Sequence, residues 1–374
     1  MGNPLRQMIG QTVRFTRSPR WLPSPAYAER FDAPWQQLYE PMPNQRPPAV
    51  QYGPSQVDLH SRLDPEFPAA GVLVLQGARL YGQSGWLFSK EGYLLPDHSW
   101  YGRHVNEMAE IPRFLPRGDT IAGVGLSLAS DFAVKSYGHF LLDCLGRLAL
   151  FEGAGFTLAD VDYLFCPKPP SKTAQRLFEQ LGLAGCNCIW ADDNRGRVIR
   201  TETLIAPTFP GTRRNYPRWL PAFLQQTLLP SPPTPSRRLY ISRAGYQRNV
   251  ANEAAIVAIL RKYNFEIYAP SRQDNQPHDF AEAAVIVGPH GGGLADLAFC
   301  QPGTAVLELL PSDHLHPYFY TLADAGGLAY GYLLGHSIQQ RHPDAWGPSE
   351  SDFYINEEEF EHALTQTIRK AGPF

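Results

Sequence analysis

A glycine-rich run late in the chain has the residue types of an anion-binding turn. The apolar residues 285–287 lead into His290, Gly291, Gly292 and Gly293. Glycines let the backbone approach a ligand closely, and a helix beginning near Leu294 would present backbone N–H groups and a positive dipole end. A phosphate suits such a turn, although an ordinary strand-to-helix turn has the same composition.

More polar residues lie at or near the predicted strand ends of the same half of the chain, namely Arg243, Arg248, Gln276 and Glu308. Two cations with nearby N–H donors suit a diphosphate, and a carboxylate suits a ribose or sugar hydroxyl, so the set is typical of a nucleotide-sugar site. Surface ion pairs are the alternative for the arginines. Glu308 lies in an apolar strand, where a carboxylate is costly without a partner, and this favours a functional role.

His139 and Asp143 are a second candidate site. They are four residues apart, so a helix would place both side chains on one face. A histidine oriented by a carboxylate is typical of a general base. The alternative is a purely structural role, in which a buried hydrogen bond between the two side chains stabilises the helix. Asp160 and Asp162 have the D-x-D spacing of some metal sites, but no acidic cluster accompanies them, so we expect no metal.

The pattern of apolar segments that must position these residues predicts an α/β fold. In the first half, short strands over residues 71–95 have hairpin spacing, and a strand over 120–128 precedes a helix over 136–150 with one apolar face. Another helix is predicted with Ser171 as its cap and Gly182 as its stop. We therefore expect strands and helices to alternate in this half.

The proline-rich residues 230–235 separate this half from a second run of alternating elements. We predict an irregular arm rich in proline and aromatic residues over 1–70, an acceptor-side domain over 71–229, and a nucleotide-binding domain over 236–374. In the last of these, Asn252 and Asn356 are predicted helix caps, a short helix is expected over 280–283, and Gly372 ends the final helix. The two Rossmann-like domains should face a cleft.

The composition of the chain indicates which classes of partner it can bind and where in the cell it is expected. The net charge is -3 and the basic residues are dispersed, which argues against nucleic-acid binding. The five cysteines have no C-x-x-C pair, so we expect reduced thiols and no structural metal. No stretch approaches the roughly 18 apolar residues of a membrane-spanning helix, so we expect a cytoplasmic protein, for which peripheral membrane contact is still compatible.

Three motifs together resemble family 61 of the glycosyltransferases, which includes bacterial capsular polysaccharide enzymes. They are YISRAGYQRNVANE from Tyr240, EAAVIVGPHGGGLADLAF with the later PGTAVLEL, and YGHFLLDCLGRL from Tyr137. The resemblance implies a GT-B fold and an inverting transfer from a nucleotide-sugar donor to a hydroxyl of a carbohydrate or other acceptor. It also implies no obligatory metal and no other cofactor, and it favours His139 or Asp143 as the general base.

Two other functions are compatible with the same residues. His290 and the three glycines after it spell the HGGG oxyanion motif of some hydrolases, but no G-x-S-x-G nucleophile turn follows them. A non-catalytic protein that binds carbohydrate or nucleotide would keep the same pocket. We expect the glycosyltransferase.

Overall fold

The computed structural model of the protein describes residues 20–54, 57–99, 115–211, 215–339 and 349–371. The chain divides into two compact units, the first made of Met1–Met42 and Phe67–Arg213, and the second made of Pro43–Glu66 and Arg214–Phe374. The residues predicted as an N-terminal arm therefore contribute to both units. We term Pro43–Glu66, which belongs to the second unit, the strap. The proline-rich residues 230–235 also lie within the second unit.

Nineteen strands are found in the described residues, in the order β1 Arg20–Trp21, β2 Trp35–Tyr39, β3 Met42–Pro43, β4 Val50–Tyr52, β5 Glu66–Phe67, β6 Ala70–Gln76, β7 Arg79–Tyr81, β8 Trp86–Phe88, β9 Tyr93–Leu94, β10 Asp119–Ser127, β11 Tyr163–Cys166, β12 Cys188–Trp190, β13 Val198–Pro207, β14 Arg237–Ile241, β15 Glu266–Tyr268, β16 Ala283–Pro289, β17 Ala305–Pro311, β18 Ala329–Ser337 and β19 Phe353–Tyr354. The α-helices of the same residues are Ser24–Phe31, Tyr137–His139, Leu148–Gly153, Lys172–Gln180, Trp219–Leu228, Glu253–Lys262, Gln276–Ala281, Tyr318–Ala325 and Glu357–Lys370. The alternation predicted for both halves of the chain is confirmed, and the fold is mixed α/β with parallel sheets.

The sheet of the first unit combines parallel and antiparallel strands. Its parallel part has the order β12-β11-β10-β13. The antiparallel strands predicted over residues 71–95 are present, and β13 joins them to the parallel part by pairing with both β6 and β7. The chain runs outward from β10 to β12 and then returns to β13 on the other side of β10. The strand order therefore reverses between β10 and β13, which is a switch point of the kind where α/β proteins bind ligands.

The helix predicted over residues 136–150 is present but is not a regular α-helix. An α-helical turn at Tyr137–His139 is followed by a π-helical segment, Phe140–Cys144, and then by a 3₁₀ turn, Leu145–Arg147. The apolar residues of the predicted face are buried as expected. A hydrophobic pattern reports which face is buried and not the local pitch, so the π segment could not be predicted. Such segments often accompany functional residues.

The sheet of the second unit has the order β15-β14-β16-β17-β18, and all of these strands are parallel. The next strand in the chain, β15, lies on one side of β14, and β16 lies on its other side. The switch point therefore falls between β14 and β16. The strap adds β4 to the far edge by pairing with β18. Arg46 anchors the strap, because its buried guanidinium donates to Thr321 O and to the carboxylate of Asp324 at 2.8 Å.

Three local predictions for the second unit are corrected by the structure. The helix expected from Leu294 is a 3₁₀ helix over Gly292–Phe299. The short helix expected over 280–283 is Gln276–Ala281, because Ala283 already belongs to β16. Asn252 precedes Glu253–Lys262 as predicted, but its side chain does not cap that helix. It bonds the backbone N–H and C=O of Ile355 instead, which satisfies a distant segment.

The final helix agrees with its prediction at its start. The Asn356 side chain accepts a hydrogen bond from the backbone N–H of Glu359 at 3.0 Å. The predicted stop at Gly372 lies outside the described residues. None of the helices in the described parts of the chain is long and apolar enough to cross a membrane.

Candidate functional site

The first unit places one set of predicted residues just after the carboxyl end of β10. The chain leaves β10 at Ser127 and enters the irregular helix at Tyr137. Arg147 of that helix bridges the segments at the switch point. Its Nη1 donates to Ala129 O at 2.8 Å, and its Nε donates to Pro207 O at 2.9 Å. Pro207 is the last residue of β13, and Ala129 lies two residues beyond the end of β10. Burial lowers the pKa of Arg147 to about 10, so the guanidinium is still charged at neutral pH.

His139 and Asp143 are brought together as their spacing predicted. His139 Nδ1 lies 2.7 Å from Asp143 Oδ2. A carboxylate only accepts hydrogen bonds, so Nδ1 carries the proton in this contact and Nε2 is the ring nitrogen that can accept one. The Asp143 side chain is 4% exposed, whereas that of His139 is 19% exposed. The pair therefore has a buried orienting carboxylate and an imidazole that reaches solvent.

Asp160 and Asp162 have structural partners that explain their spacing. Asp160 Oδ2 accepts from both the backbone N–H and the hydroxyl of Thr157, which forms a capping box. Asp162 Oδ2 accepts from the backbone N–H of Val124 at 2.7 Å. Each carboxylate therefore fixes local backbone, and neither contact calls for a metal.

The second unit places Arg243 and the glycine run at its switch point. Arg243 follows the carboxyl end of β14, and Gly291 follows that of β16. The Arg243 guanidinium lies directly over Gly291, because a Cβ added there would be 1.7 Å from Arg243 Nη1. Arg243 Nη2 donates to Gln247 O at 2.8 Å, which folds the intervening turn. Only glycine leaves room for this contact.

Arg248 supplies a second guanidinium near the first. Its Nη1 is 3.0 Å from His314 Nε2, and its buried Nε has no hydrogen-bond partner among the described residues. The backbone of Arg248 has φ 58, a left-handed conformation that is rare for a long side chain and is concentrated at functional sites. No carboxylate of the described residues forms an ion pair with either arginine, so the predicted alternative of surface ion pairs is not observed.

Burial and the positive charge of Arg248 both disfavour the charged form of Arg243. The pKa of Arg243 is lowered to about 10, first by burial and then by the positive charge of Arg248. Burial also lowers the pKa of Arg248. Neither of these partly buried cations forms an ion pair with a carboxylate of the described residues, so a bound anion would stabilise both.

His290 and Glu308 form a buried pair beside these arginines in the chain's second unit. His290 Nδ1 is 2.5 Å from Glu308 Oε1, and the hydroxyl of Tyr330 donates to Glu308 Oε2. Glu308 is 0% exposed, and burial raises its pKa to about 8. Both carboxyl oxygens thus have protein partners. The sequence placed Glu308 against a ligand hydroxyl, whereas in the structure its immediate contacts are His290 and Tyr330.

The remaining predicted residues shape the turn. Gln276 is buried, and its Nε2 donates to Pro270 O at 2.6 Å. Gly292 and Gly293 open the 3₁₀ helix, and a Cβ on Gly293 would be 3.3 Å from Pro270 Cγ and 3.2 Å from Ile241 Cγ2. Gln276 therefore contacts the loop that packs on the glycine run, and its bond is to protein backbone.

Two histidines of this site were missed by the sequence analysis. The ring of His314 lies 5.0 Å from that of His290, and His316 lies 4.3 Å from His314, measured between ring centroids. The backbone N–H of Ser349 lies 3.2 Å from His314 Nδ1, and the Arg248 guanidinium lies 3.0 Å from Nε2 on the other side of the ring. The signal was an H-x-H spacing shortly after the end of β17, which is where ligand-binding residues are expected in a parallel sheet.

One group of side chains in the described residues has the spacing of metal ligands, namely His278, Asp279 and Glu282. Its two carboxylates already bond Arg237 Nη1, at 2.8 Å and 3.0 Å. The group lies on the helix Gln276–Ala281 and just after it, and the Arg237 guanidinium binds both of its carboxylates. Exposed groups of this kind are common without an ion.

Comparison with known proteins gives one family match. A family model described as Glycosyltransferase 61 matches residues 137–307. The matched segment contains the pair in the first unit and the arginines and glycines of the second, and it ends one residue before Glu308. Curated proteins gave no match. The family match supports the resemblance to family 61 and a glycosyltransferase activity that uses a donor and an acceptor.

Proposed function

We propose that the protein is an inverting glycosyltransferase that moves a sugar from a nucleotide-sugar donor to a hydroxyl of a carbohydrate or other acceptor. The observation that carries this proposal is the arginine pair at the switch point of the second unit, inside the segment that matches family 61. In this proposal the protein has a GT-B organisation, with the first unit serving the acceptor and the second unit serving the donor.

The donor diphosphate is assigned to the turn formed by Arg243, Arg248 and Gly291. Two guanidiniums offer bidentate donors to phosphate oxygens, and Gly291 allows one of them to lie against the backbone. His314 lies next to Arg248, with Nε2 at 3.0 Å from Arg248 Nη1. A diphosphate at this turn would accept hydrogen bonds from the guanidinium of Arg248, whose Nε has no partner among the described residues. The same charges stabilise the diphosphate as it departs, so no metal or other cofactor is needed for that step.

Glu308 is assigned a positioning role through His290. Its carboxyl bonds His290 Nδ1 and fixes the ring orientation, and Tyr330 fixes the carboxyl in turn. The other ring nitrogen of His290 then has a fixed direction beside the glycine run. There it can donate a hydrogen bond to the nucleotide sugar or accept one from it. The predicted contact of Glu308 with a sugar hydroxyl becomes an indirect one in this proposal.

The acceptor hydroxyl is assigned to His139. Asp143 accepts a hydrogen bond from Nδ1–H and stabilises the imidazolium that forms when Nε2 takes the proton of the attacking hydroxyl. As the new glycosidic bond forms, the bond to the diphosphate breaks and its electrons stay with the departing phosphate oxygen. The wider biological role that we propose is the synthesis of a surface polysaccharide of the bacterial capsular type, from the cytoplasmic side of the membrane.

A donor screen followed by two substitutions tests the function. Thermal shift with UDP-, GDP-, dTDP- and CMP-sugars should identify one donor class, because a ligand of the folded state raises the melting temperature. With that donor, His139→Ala and Asp143→Asn should each lower turnover at least ~100-fold while donor binding persists.

The control is His278→Ala, because His278 is also four residues from a carboxylate, that of Glu282, but lies in neither proposed site. Its turnover should equal that of the wild type. Unchanged turnover in both His139→Ala and Asp143→Asn would reject the assigned base. Donor binding by the wild type without hydrolysis or transfer would favour a non-catalytic binding protein.

A further inference from the structure

Phe132 is an exposed aromatic residue in a strained position close to His139. The residue is 42% exposed, and its backbone has φ 64. The left-handed region is unfavourable for a bulky residue, and glycine or asparagine would occupy it at lower cost. Backbone preference therefore does not favour a phenylalanine here.

The backbone around Phe132 is fixed on both sides. The preceding residue, Asp131, is buried and accepts a hydrogen bond from Trp86 Nε1 at 3.0 Å. After it, the backbone N–H of Lys135 donates to Phe132 O at 3.0 Å and closes a turn. Arg147 binds the carbonyl of Ala129 in the same loop. The loop therefore holds the backbone of Phe132 in the strained conformation.

The ring lies next to the imidazole that the proposed function assigns as the base. The ring centroids of Phe132 and His139 are 5.6 Å apart, and their planes are tilted by 40°. An exposed apolar ring beside a proton acceptor matches a pyranose, which has an apolar face of C–H groups and hydroxyls around its edge. Stacking on the ring would bring an edge hydroxyl to the imidazole.

We propose that Phe132 is the stacking platform for the acceptor and that the acceptor is a pyranose sugar. This inference rests on the proposed function, since it names the substrate class of the same site. It assigns Phe132 to acceptor binding and positioning, and the proton transfer stays with His139. The backbone strain is then the cost of presenting an aromatic ring at a fixed place.

Two variants distinguish a role of the Phe132 ring in binding from a role in folding. Phe132→Gly removes the ring and suits the positive φ, so its melting temperature should equal or exceed that of the wild type. Phe132→Tyr keeps an aromatic face of the same shape. Trp21→Ala is the matched control, because Trp21 is another exposed aromatic residue of the first unit, at 47% exposure.

Binding is measured by saturation-transfer NMR with the methyl glycosides of glucose, galactose, mannose and xylose. At least one should give signals with the wild type, Phe132→Tyr and Trp21→Ala, and these should be lost with Phe132→Gly. With the donor class found by the thermal screen, Phe132→Gly should raise the KM for that glycoside about tenfold and change kcat less than about twofold. Phe132→Tyr should restore the wild-type KM.

Equal saccharide binding and equal KM in the wild type and Phe132→Gly would overturn the inference. A wild type that binds none of the four glycosides would also overturn it. Binding of nucleoside diphosphates is measured on the same samples, and its absence from the wild type would count against the proposed function instead. The two failures are therefore distinguishable.

Discussion

Replacing Gly291 by alanine tests the diphosphate site without removing any charged group. The added Cβ would lie 1.7 Å from Arg243 Nη1 and 2.5 Å from its Cζ, whereas ordinary contact begins at 3.4 Å. The guanidinium must therefore move by about 1.7 Å, the difference between these two distances for Nη1. A charge-assisted hydrogen bond is made at about 2.7–2.9 Å and is lost well before such a displacement.

The expected cost follows from the loss of one charged contact to phosphate. Hydrogen bonds to charged groups contribute about 1.5–3 kcal/mol, so the Kd of a nucleoside diphosphate should rise by roughly 10- to 150-fold. Isothermal titration calorimetry with UDP, GDP and dTDP measures it directly. The affinity of the best of these for the wild type gives the reference.

A double-mutant cycle decides whether the effect passes through Arg243. Arg243→Ala should weaken binding by a similar factor, and the variant with both substitutions should be no weaker than Arg243→Ala alone, because the displaced group is already absent. Gly326→Ala is the control, since a Cβ there meets Leu328 Cγ at an ordinary 3.5 Å. Additive losses, or a Gly291→Ala affinity within about threefold of the wild type, would refute the reasoning.

Three further substitutions test the stability of the elements around the sites. Burial raises the pKa of Glu308 to about 8, so the folded protein keeps a proton that the unfolded chain releases near 4.5, and stability is lost as the pH rises between these values. The melting temperature of the wild type should therefore fall more steeply between about pH 5 and 8 than that of Glu308→Gln, and parallel curves would contradict this. Arg147→Leu leaves Ala129 O and Pro207 O short of donors and should lower the free energy of unfolding in urea by at least about 2 kcal/mol, and a loss below about 1 kcal/mol would contradict the bridging role. Asn356→Ala removes the cap of the final helix and should cost about 1 kcal/mol in the same assay, and an unchanged urea midpoint would show that the cap is dispensable.

The features that the sequence predicted are those decided within a few residues. Ser171 caps its helix by accepting from Ala174 N, and Asn356 caps the last one, because a cap is a local exchange between a side chain and the next turn. The bond between His139 and Asp143 follows from the same short-range geometry. Each of these depends on a spacing of three or four residues, which can be read directly.

The features that the sequence missed depend on contacts between distant segments. Asn252 has the residue type of a cap, but Ile355 competes for its side chain from 103 residues away. The place of Arg243 over Gly291 depends on β14 and β16 being neighbours, which the order of the strands decides and the order of the chain does not. The partner that His314 gives Arg248 has the same origin.

The strap pairs with β18, a strand that is synthesised long after it. Tyr332 of β18 donates to Gln51 of the strap, 281 residues earlier, and Leu59 of the strap is fully buried. At about 5–20 residues per second, the ribosome needs roughly 15–55 s to make the intervening residues. During that interval the strap has no partner strand to pair with, so nascent chains are expected to need a chaperone there. A fragment that starts at Arg214 would lack the edge strand β4 and the Arg46 anchor, and we expect it to be insoluble when expressed without residues 43–66.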